Sequence, residues 1–189
     1  LATTALGGLS SLIGYRNDRV LGVSSVPYGD VNASIHGAFA ILVALFHARQ
    51  TGKGQHIELS ESEAVTSLLG EAFADYFMNG RVATPQGNYD PPFYVHNNYR
   101  CKGTDSWISI AVKTDDEWDS LCTVITELKQ EKRLEDKTAR AQFAEEIDRV
   151  ITAWTLNYSP YEATEILQGA GVAAFPVLNI EGQFLDRHY

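Results

Sequence analysis

The chain has 189 residues, 44% hydrophobic and 11% aromatic, enough to build a core in one domain or in parts of two. Fifteen Lys and Arg against 24 Asp and Glu leave a formal charge of -9 and a pI near 4.9. That argues against nucleic acid or an anionic membrane as the main partner, though not against a local basic pocket.

The chain begins without Met, inside a helical stretch, and stops at Asp186-Arg187-His188-Tyr189 just after an apolar segment. Both ends read as cut, and a central-to-C-terminal piece of a longer protein is expected. Residues 1–13 read as a short helix in which Gly7 and Gly8 let another backbone pack closely, with Gly14 as its stop. Residues 15–22 are a polar surface loop. Val23 to Pro27 reads as short and extended, because Pro27 biases Val26 away from helix. Gly29 is expected to permit a sharp turn that presents Asp30.

A helix of about five turns follows over Val31–Gln50. Ile35, Phe39, Leu42, Val43 and Phe46 recur at helical spacing, and the other faces are also largely apolar, so burial is expected. Its longest unbroken apolar run, Ala38 to Phe46, is about half of the roughly 20 residues a membrane span needs, and no membrane association is expected. Asp30 then stands where backbone N–H groups point outward and a negative charge gains roughly 0.3–1 kcal/mol. Helix capping alone also accounts for an Asp there, with Asn32 and Ser34 competing for that role.

Thr51-Gly52-Lys53-Gly54 is a stop and turn. Gln55 to Leu59 alternates polar and apolar and reads as a half-covered strand. Ser60 and Glu63 have capping-box spacing at the start of a helix that ends near Asn79-Gly80. This order is α/β. Residues 81–97 carry three prolines and no periodicity, as a linker or long loop does. Tyr94–Cys101 and Trp107–Val112 read as a β-hairpin. Thr114 caps a helix through Glu117, Thr138–Trp154 is amphipathic, and Ser159-Pro160 opens a helix that stops at Gly169-Ala170-Gly171. Val172 to Ile180 is a last strand-like run. The divisions expected are 1–80, a linker at 81–97, and a small α+β domain at 98–189.

Most familiar chemistries find no pattern here. Cys101 and Cys122 have neither CxxC nor zinc spacing and read as reduced and structural, which favours a cytoplasmic protein. The five histidines form no His-Glu-x-x-His pair, so no metal is expected. There is no GxGxxG, no phosphate loop of the GxxxxGK[ST] type and no G-x-S-x-G elbow. Arg100 and Lys102 flank Cys101 and could bind an anion, although an exposed strand face explains them as well. Tyr89, Phe93, Tyr94 and Tyr99, beside Pro91-Pro92, suit either a pocket wall or a packing anchor.

The ordered set of motifs is more specific than any one of them. Gly-Gly-Leu-Ser-Ser-Leu-Ile-Gly (7–14) precedes Gly29-Asp30 and the apolar helix. Arg49-Gln50-Thr51-Gly52-Lys53-Gly54-Gln55-His56-Ile57-Glu58-Leu59-Ser60 follows. Then come Tyr99-Arg100-Cys101-Lys102-Gly103, Trp107 to Val112, Glu117-Trp118, Gly169-Ala170-Gly171-Val172 and Pro176-Val177-Leu178. Over essentially its whole length the chain resembles the family III CoA-transferases, which include formyl-CoA transferase, carnitine CoA-transferase and racemase relatives.

The resemblance implies an α/β fold: part of a Rossmann-like large domain plus an α+β small domain, in subunits that interlock as a homodimer. It implies CoA transfer from an acyl-CoA thioester to a small carboxylic acid, with Asp30 as nucleophile and an aspartyl-CoA covalent intermediate. Coenzyme A enters as a thioester substrate with no tightly bound cofactor, and most CoA-binding residues belong to a preceding half. Tyr28, Gly29, Phe93, Tyr94 and His96 are the substrate-pocket candidates. Two departures stand out. The glycine run that closes over the active site in oxalate-type formyl-CoA transferase is replaced by Asn88 to His96, which counts against formyl/oxalate exchange. The racemase branch carries Glu in a Tyr-Glu-Cys segment where this chain has Arg100, which favours transfer over racemisation. An acyl-CoA racemase, or a non-catalytic binding module in which Asp30 is only a cap, are the alternatives.

Overall fold

The computed structural model describes residues 2–16, 18–22 and 27–186 and divides the chain into two units, Leu1–Gly87 and Asn88–Tyr189. The expected extended stretch at 23–26 lies outside the described residues.

The first unit is helical among its described residues, apart from an isolated antiparallel bridge between Gly14 and Val20. α1 (Ala2–Leu6) leads through a 3-10 turn to the long α2 (Tyr28–Thr51), then to α3 (Glu61–Thr66) and, past a second 3-10 turn at Ser67–Leu69, to α4 (Gly70–Asn79). Helices α1, α2 and α3 meet around Val65, Ala64, Ala33 and Thr4, all buried. Small residues make this approach possible. A Cβ on Gly7 would come within 2.8 Å of Val65 and 3.0 Å of the Ser62 carbonyl, and one on Gly29 would meet the Thr3 hydroxyl at 2.5 Å.

Three sequence expectations change here. First, α2 starts three residues earlier than expected and is not buried: only Gly29 and Ala33 are enclosed, while Phe39, Leu42 and Phe46 are 63–70% exposed. The reason is geometric. The helix is about 36 Å long, and the short helices of this unit reach only its first turns. By length and composition α2 is long and apolar enough to cross a bilayer, which the Ala38–Phe46 run alone understates. Second, Gln55 to Leu59 forms no strand and is exposed. Alternation makes a strand only where a neighbour supplies the ladder, and no described residue pairs with it. Third, the helix expected over 60–80 is broken at Ser67–Leu69. Ser60 does accept from the Glu63 amide (3.4 Å), but the reciprocal half of the box is not formed.

The second unit is a three-stranded antiparallel sheet in the order β1-β2-β3, with β1 Val95–Arg100, β2 Trp107–Val112 and β3 Ala173–Pro176. The register pairs Val95 with Val112, Tyr99 with Ile108, and Ile110 with Ala174. Between β2 and β3 run α5 (Asp115–Val124), α6 (Thr126–Gln130), a 3-10 turn, α7 (Lys137–Gln142), α8 (Ala144–Thr155) and α9 (Pro160–Gly169); α10 (Ile180–Leu185) follows β3. α5, α8 and α9 cover one sheet face. Tyr99, Ile108, Ile110, Val112, Leu121, Ile147, Ile151 and Leu167 close the core between them. The other face carries His96, Asn98, Arg100, Ser109 and Phe175, all exposed, as strict alternation requires.

The hairpin is observed as expected, and so are the capping box of α5 and the start of α9 at Ser159-Pro160, which the structure shows to carry a capping box as well. Thr114 accepts from the Glu117 amide, and the Glu117 carboxylate accepts from the Thr114 and Lys113 amides at 3.0 and 2.7 Å; Ser159 and Glu162 repeat the exchange. The helix expected over 138–154 is two helices. The Phe143 amide donates back to the Arg140 carbonyl, while the Phe143 carbonyl starts α8. The strand expected over 172–180 ends at Pro176, and Asn179 caps α10 by accepting from the Gly182 amide at 2.7 Å.

Those backbone hydrogen bonds hold the Glu117 and Glu162 carboxyls below the ordinary glutamate value of 4.5. A depressed folded value contributes stability above the unfolded value that is lost as pH falls through the folded one. The protection of the Thr114 and Ser159 amides, relative to the intrinsic exchange rate at each pH, is therefore expected to fall as pH drops below about 4.5, with α5 and α9 fraying from their first turns. Glu117→Gln should flatten that response for α5 only, as hydrogen-exchange NMR would show.

Candidate active site

Asp30 occupies the third helical position of α2. Pro27 is the capping residue, and no side chain caps the helix. Asn32 instead donates to the Ala64 carbonyl (2.6 Å), tying α2 to α3, and Ser34 donates back to the Asp30 carbonyl (2.7 Å). Asp30 is exposed, and among the described residues its carboxylate makes no hydrogen bond. The capping explanation therefore does not account for it. Its neighbour Gly29 is required for packing against Thr3 rather than for a positive φ, which corrects the expected turn role. Tyr28, the first residue of α2, is 50% exposed beside it. The result is a carboxylate with no hydrogen bond among the described residues, beside first-turn N–H groups that have no partner within the helix. An exposed carboxylate is a competent nucleophile, and such N–H groups are the donors that stabilise an oxyanion. The unit also has an apolar cleft of about 420 Å³ lined by Leu6, Leu12, Leu69, Phe73 and Tyr76; Asp30 is not part of it.

The remaining candidates lie in the second unit. Tyr94 is part of its packing: its ring meets Trp118 edge-on at 6.2 Å, and its hydroxyl donates to Asp115 at 3.1 Å. Phe93 and His96 lie against each other with ring centroids 4.8 Å apart, and His96 is exposed. The His96 Nδ1 lies 2.7 Å from the Asn88 carbonyl, so Nδ1 carries the proton there. Arg100 lies over the Trp107 ring at 5.4 Å on the open sheet face. Tyr99 is a packing anchor, 2% exposed, donating to Asp148 at 2.5 Å. Burial, and then the Asp148 charge, hold its hydroxyl far above the ordinary tyrosine value. Burial likewise pushes the Cys101 thiol up to about 11 and raises Cys122, so neither is an activated thiolate.

Sequence reasoning passed over Lys113, Asp148 and Arg140. Lys113 was recoverable: it sits two residues past Ala111, in phase with the open sheet face. Asp148 and Arg140 were not, because both reach partners distant in sequence.

The profile of CoA-transferase family III matches residues 1–189, and the chain belongs to that family. It is 34% identical over 143 residues to Rv1866 of Mycobacterium tuberculosis, named a probable CoA-transferase, covering 75% of this chain and 18% of that one. It is 28% identical to the succinyl-CoA–L-malate CoA-transferase alpha subunit of Chloroflexus aurantiacus, covering 98% of this chain and 44% of the relative. It is 27% identical to the succinyl-CoA:mesaconate CoA-transferase of Haloarcula hispanica, covering 100% and 46%. A crystal structure of a CAIB/BAIF family protein from Brucella suis superposes with a TM-score of 0.88 at 22% identity, over 98% of this chain and 49% of that one, and shows the same fold. The chain thus spans less than half the length of these relatives.

Proposed function

We propose that the protein carrying this chain moves CoA between a small dicarboxylic acid and its acyl-CoA partner, with Asp30 as the covalent nucleophile. The exposed Asp30 carboxylate on the first turn of α2, with no hydrogen bond among the described residues, carries the reading, and family membership supports it. The relatives named for succinate, L-malate and mesaconate support the substrate class.

In the proposed sequence an Asp30 carboxylate oxygen attacks the thioester carbonyl, the C–S bond breaks, and CoA thiolate leaves a mixed anhydride. The thiolate attacks the Asp30 acyl carbon, expelling the donor carboxylate and leaving an aspartyl-CoA thioester. The acceptor carboxylate attacks that carbon, CoA thiolate leaves again, and its return to the acceptor acyl carbon frees Asp30. One difficult exchange becomes several easier ones. The first-turn N–H groups of α2 are the donors available to each tetrahedral oxyanion. On this reading α2 is a core helix whose apolar faces are covered in the complete homodimer rather than a membrane span, and the enzyme is cytoplasmic. Tyr28 borders the nucleophile, and Phe93 and His96 are the substrate-contact candidates of the second unit.

Incubation of the full-length protein with succinyl-CoA and hydroxylamine, followed by peptide mass spectrometry, should place a hydroxamate on Asp30. An unmodified Asp30 in a protein that is turning over would refute the covalent route. Incorporation of solvent deuterium at the α-carbon of an acyl-CoA, without any acceptor acid, would instead identify a racemase.

A further inference from the structure

The second unit has a cleft of about 500 Å³ at the end of its sheet opposite Phe93 and His96. Three segments wall it: the β1–β2 turn with Asp105 and Trp107, the start of α9 at Pro160-Tyr161, and the stretch from Pro176 to Asn179 that leads from β3 to α10. Backbone hydrogen bonds fix these walls to one another. The Cys101 amide donates to the Ser106 carbonyl at 2.8 Å, the Lys102 amide to the Tyr158 carbonyl at 2.8 Å, and the Val177 amide to the Trp107 carbonyl at 2.9 Å. The cleft is therefore formed before any ligand enters it.

Its lining is largely aromatic and apolar, through Trp107, Tyr161, Pro160 and Pro176, and holds one carboxylate, Asp105, with no Lys or Arg. Asp105 stands at φ 50°, a left-handed conformation that Asp adopts more readily than most residues. One of its oxygens accepts from Trp107 Nε1 at 2.9 Å, which holds the carboxylate beside the indole. Asp105 makes no ion pair among the described residues, and its other oxygen accepts nothing there. The Tyr161 hydroxyl, by contrast, is spent on Asp186 at 3.2 Å, and Asn179 Oδ1 on the Gly182 amide at 2.7 Å. Arg100 lies over the Trp107 ring at 5.4 Å without lining the cleft, so that ring already neighbours a cation. An anion finds no charged partner in this lining, and one carboxylate is too few for a metal ion. A carboxylate with an open oxygen, in a cleft lined by two aromatic rings, is complementary to a cation that carries N–H donors on an apolar body.

We propose that this cleft binds a small organic cation of the amidine, guanidine or primary amine class. Asp105 accepts from the N–H groups of the cationic head, and Trp107, Tyr161 and the two prolines cover the apolar body. The site lies wholly within the second unit, uses none of the residues proposed for CoA transfer, and stands apart from the covalent chemistry at Asp30.

The test is fluorine NMR of the full-length protein labelled with fluorotryptophan, at neutral pH and matched ionic strength, with the Trp107 resonance assigned by its loss in Trp107→Phe. The probes benzamidine, benzamide and benzoate share one planar shape and differ in charge. Benzamidine should shift the Trp107 resonance saturably and leave those of Trp118 and Trp154 in place. Benzamide should bind more weakly by roughly fivefold, the upper end of what an ion pair open to water contributes, and benzoate more weakly still. Phenyltrimethylammonium keeps the ring and the charge without an N–H, and should also bind more weakly than benzamidine. Asp105→Asn keeps an oxygen for Trp107 Nε1 and tolerates the same backbone conformation, and it should bring benzamidine down to the benzamide affinity. Equal shifts with benzoate, no saturable shift with benzamidine, phenyltrimethylammonium binding as tightly as benzamidine, or a benzamidine preference that survives Asp105→Asn would each overturn the site. The probe series is read on the unsubstituted protein, so it decides the matter even where Asp105→Asn fails to fold. No acyl-CoA or acceptor acid is present, so failure here is distinguishable from failure of the Asp30 reading.

Discussion

Asp30→Ala in the full-length protein is expected to reduce CoA transfer by roughly 10⁴-fold or more, the scale on which removal of a covalent nucleophile acts. Acyl-CoA binding should be nearly unchanged, because the substitution removes bond formation rather than ground-state contacts. The fold should tolerate it. The Asp30 side chain is exposed, caps nothing and makes no hydrogen bond among the described residues, so the stability change should stay within about 0.5 kcal/mol, as for other surface positions. That separation makes the prediction sharp: transfer lost at an unchanged melting temperature. Asp30→Asn should behave alike, since an amide of the same shape is a poor nucleophile. Asp30→Glu keeps the carboxylate but moves it by one methylene, and misplacement of about 1 Å is enough to cost 10²-fold. Steady-state transfer assays with succinyl-CoA, beside thermal melts of the same variants, check all three. Near wild-type turnover in Asp30→Ala would remove Asp30 from the mechanism.

What could be read from the sequence, and what could not, follows the range of the forces involved. The cap at Thr114-Glu117 was legible because it is closed within four residues, and the start of α9 because Ser159-Pro160 marks it locally. The hairpin was legible because two alternating runs flank a short polar turn. Gln55 to Leu59 misled because alternation is a property of the chain, whereas a ladder needs a partner. The long helix α2 was recognised, but its burial was not predictable, because its periodicity says nothing about which other elements are present to cover it. Asp30 was found by motif order, not by local chemistry. The local reading of it as a cap fails on geometry, since Pro27 holds that position. Gly29 was singled out correctly but for the wrong reason: its missing side chain makes room for Thr3, a contact 26 residues away in sequence.

Arg140 is the clearest case of a residue invisible in the sequence and central in the structure, and its removal should produce the largest loss of stability in the second unit. It sits in the amphipathic stretch Thr138–Trp154, outside the apolar positions Phe143, Ile147, Val150, Ile151 and Trp154, yet its side chain is only 6% exposed. Its guanidinium lies 4.6 Å from the Tyr94 ring centroid and 4.5 Å from that of Trp118, donates to the Leu134 carbonyl at 2.9 Å and pairs with Asp115 at 3.2 Å. It thus joins α7 to α5 and to the entry of β1. Arg140→Ala deletes two cation–π contacts, leaves the Leu134 carbonyl without that donor and opens a cavity beside Trp118. Together these should cost about 3–4 kcal/mol. Arg140→Met keeps most of the volume, and the Asp115 carboxylate that loses its cation is 40% exposed to water, so about half of that loss should return. Asp115→Ala should cost less than either. Asp115 is 40% exposed, water screens its charge, and the cation keeps its aromatic and carbonyl partners. Urea midpoints should therefore rise in the order Arg140→Ala, Arg140→Met, Asp115→Ala, with an unchanged slope. If Asp115→Ala were instead as damaging as Arg140→Ala, the ion pair rather than the aromatic enclosure would be holding the cation in place.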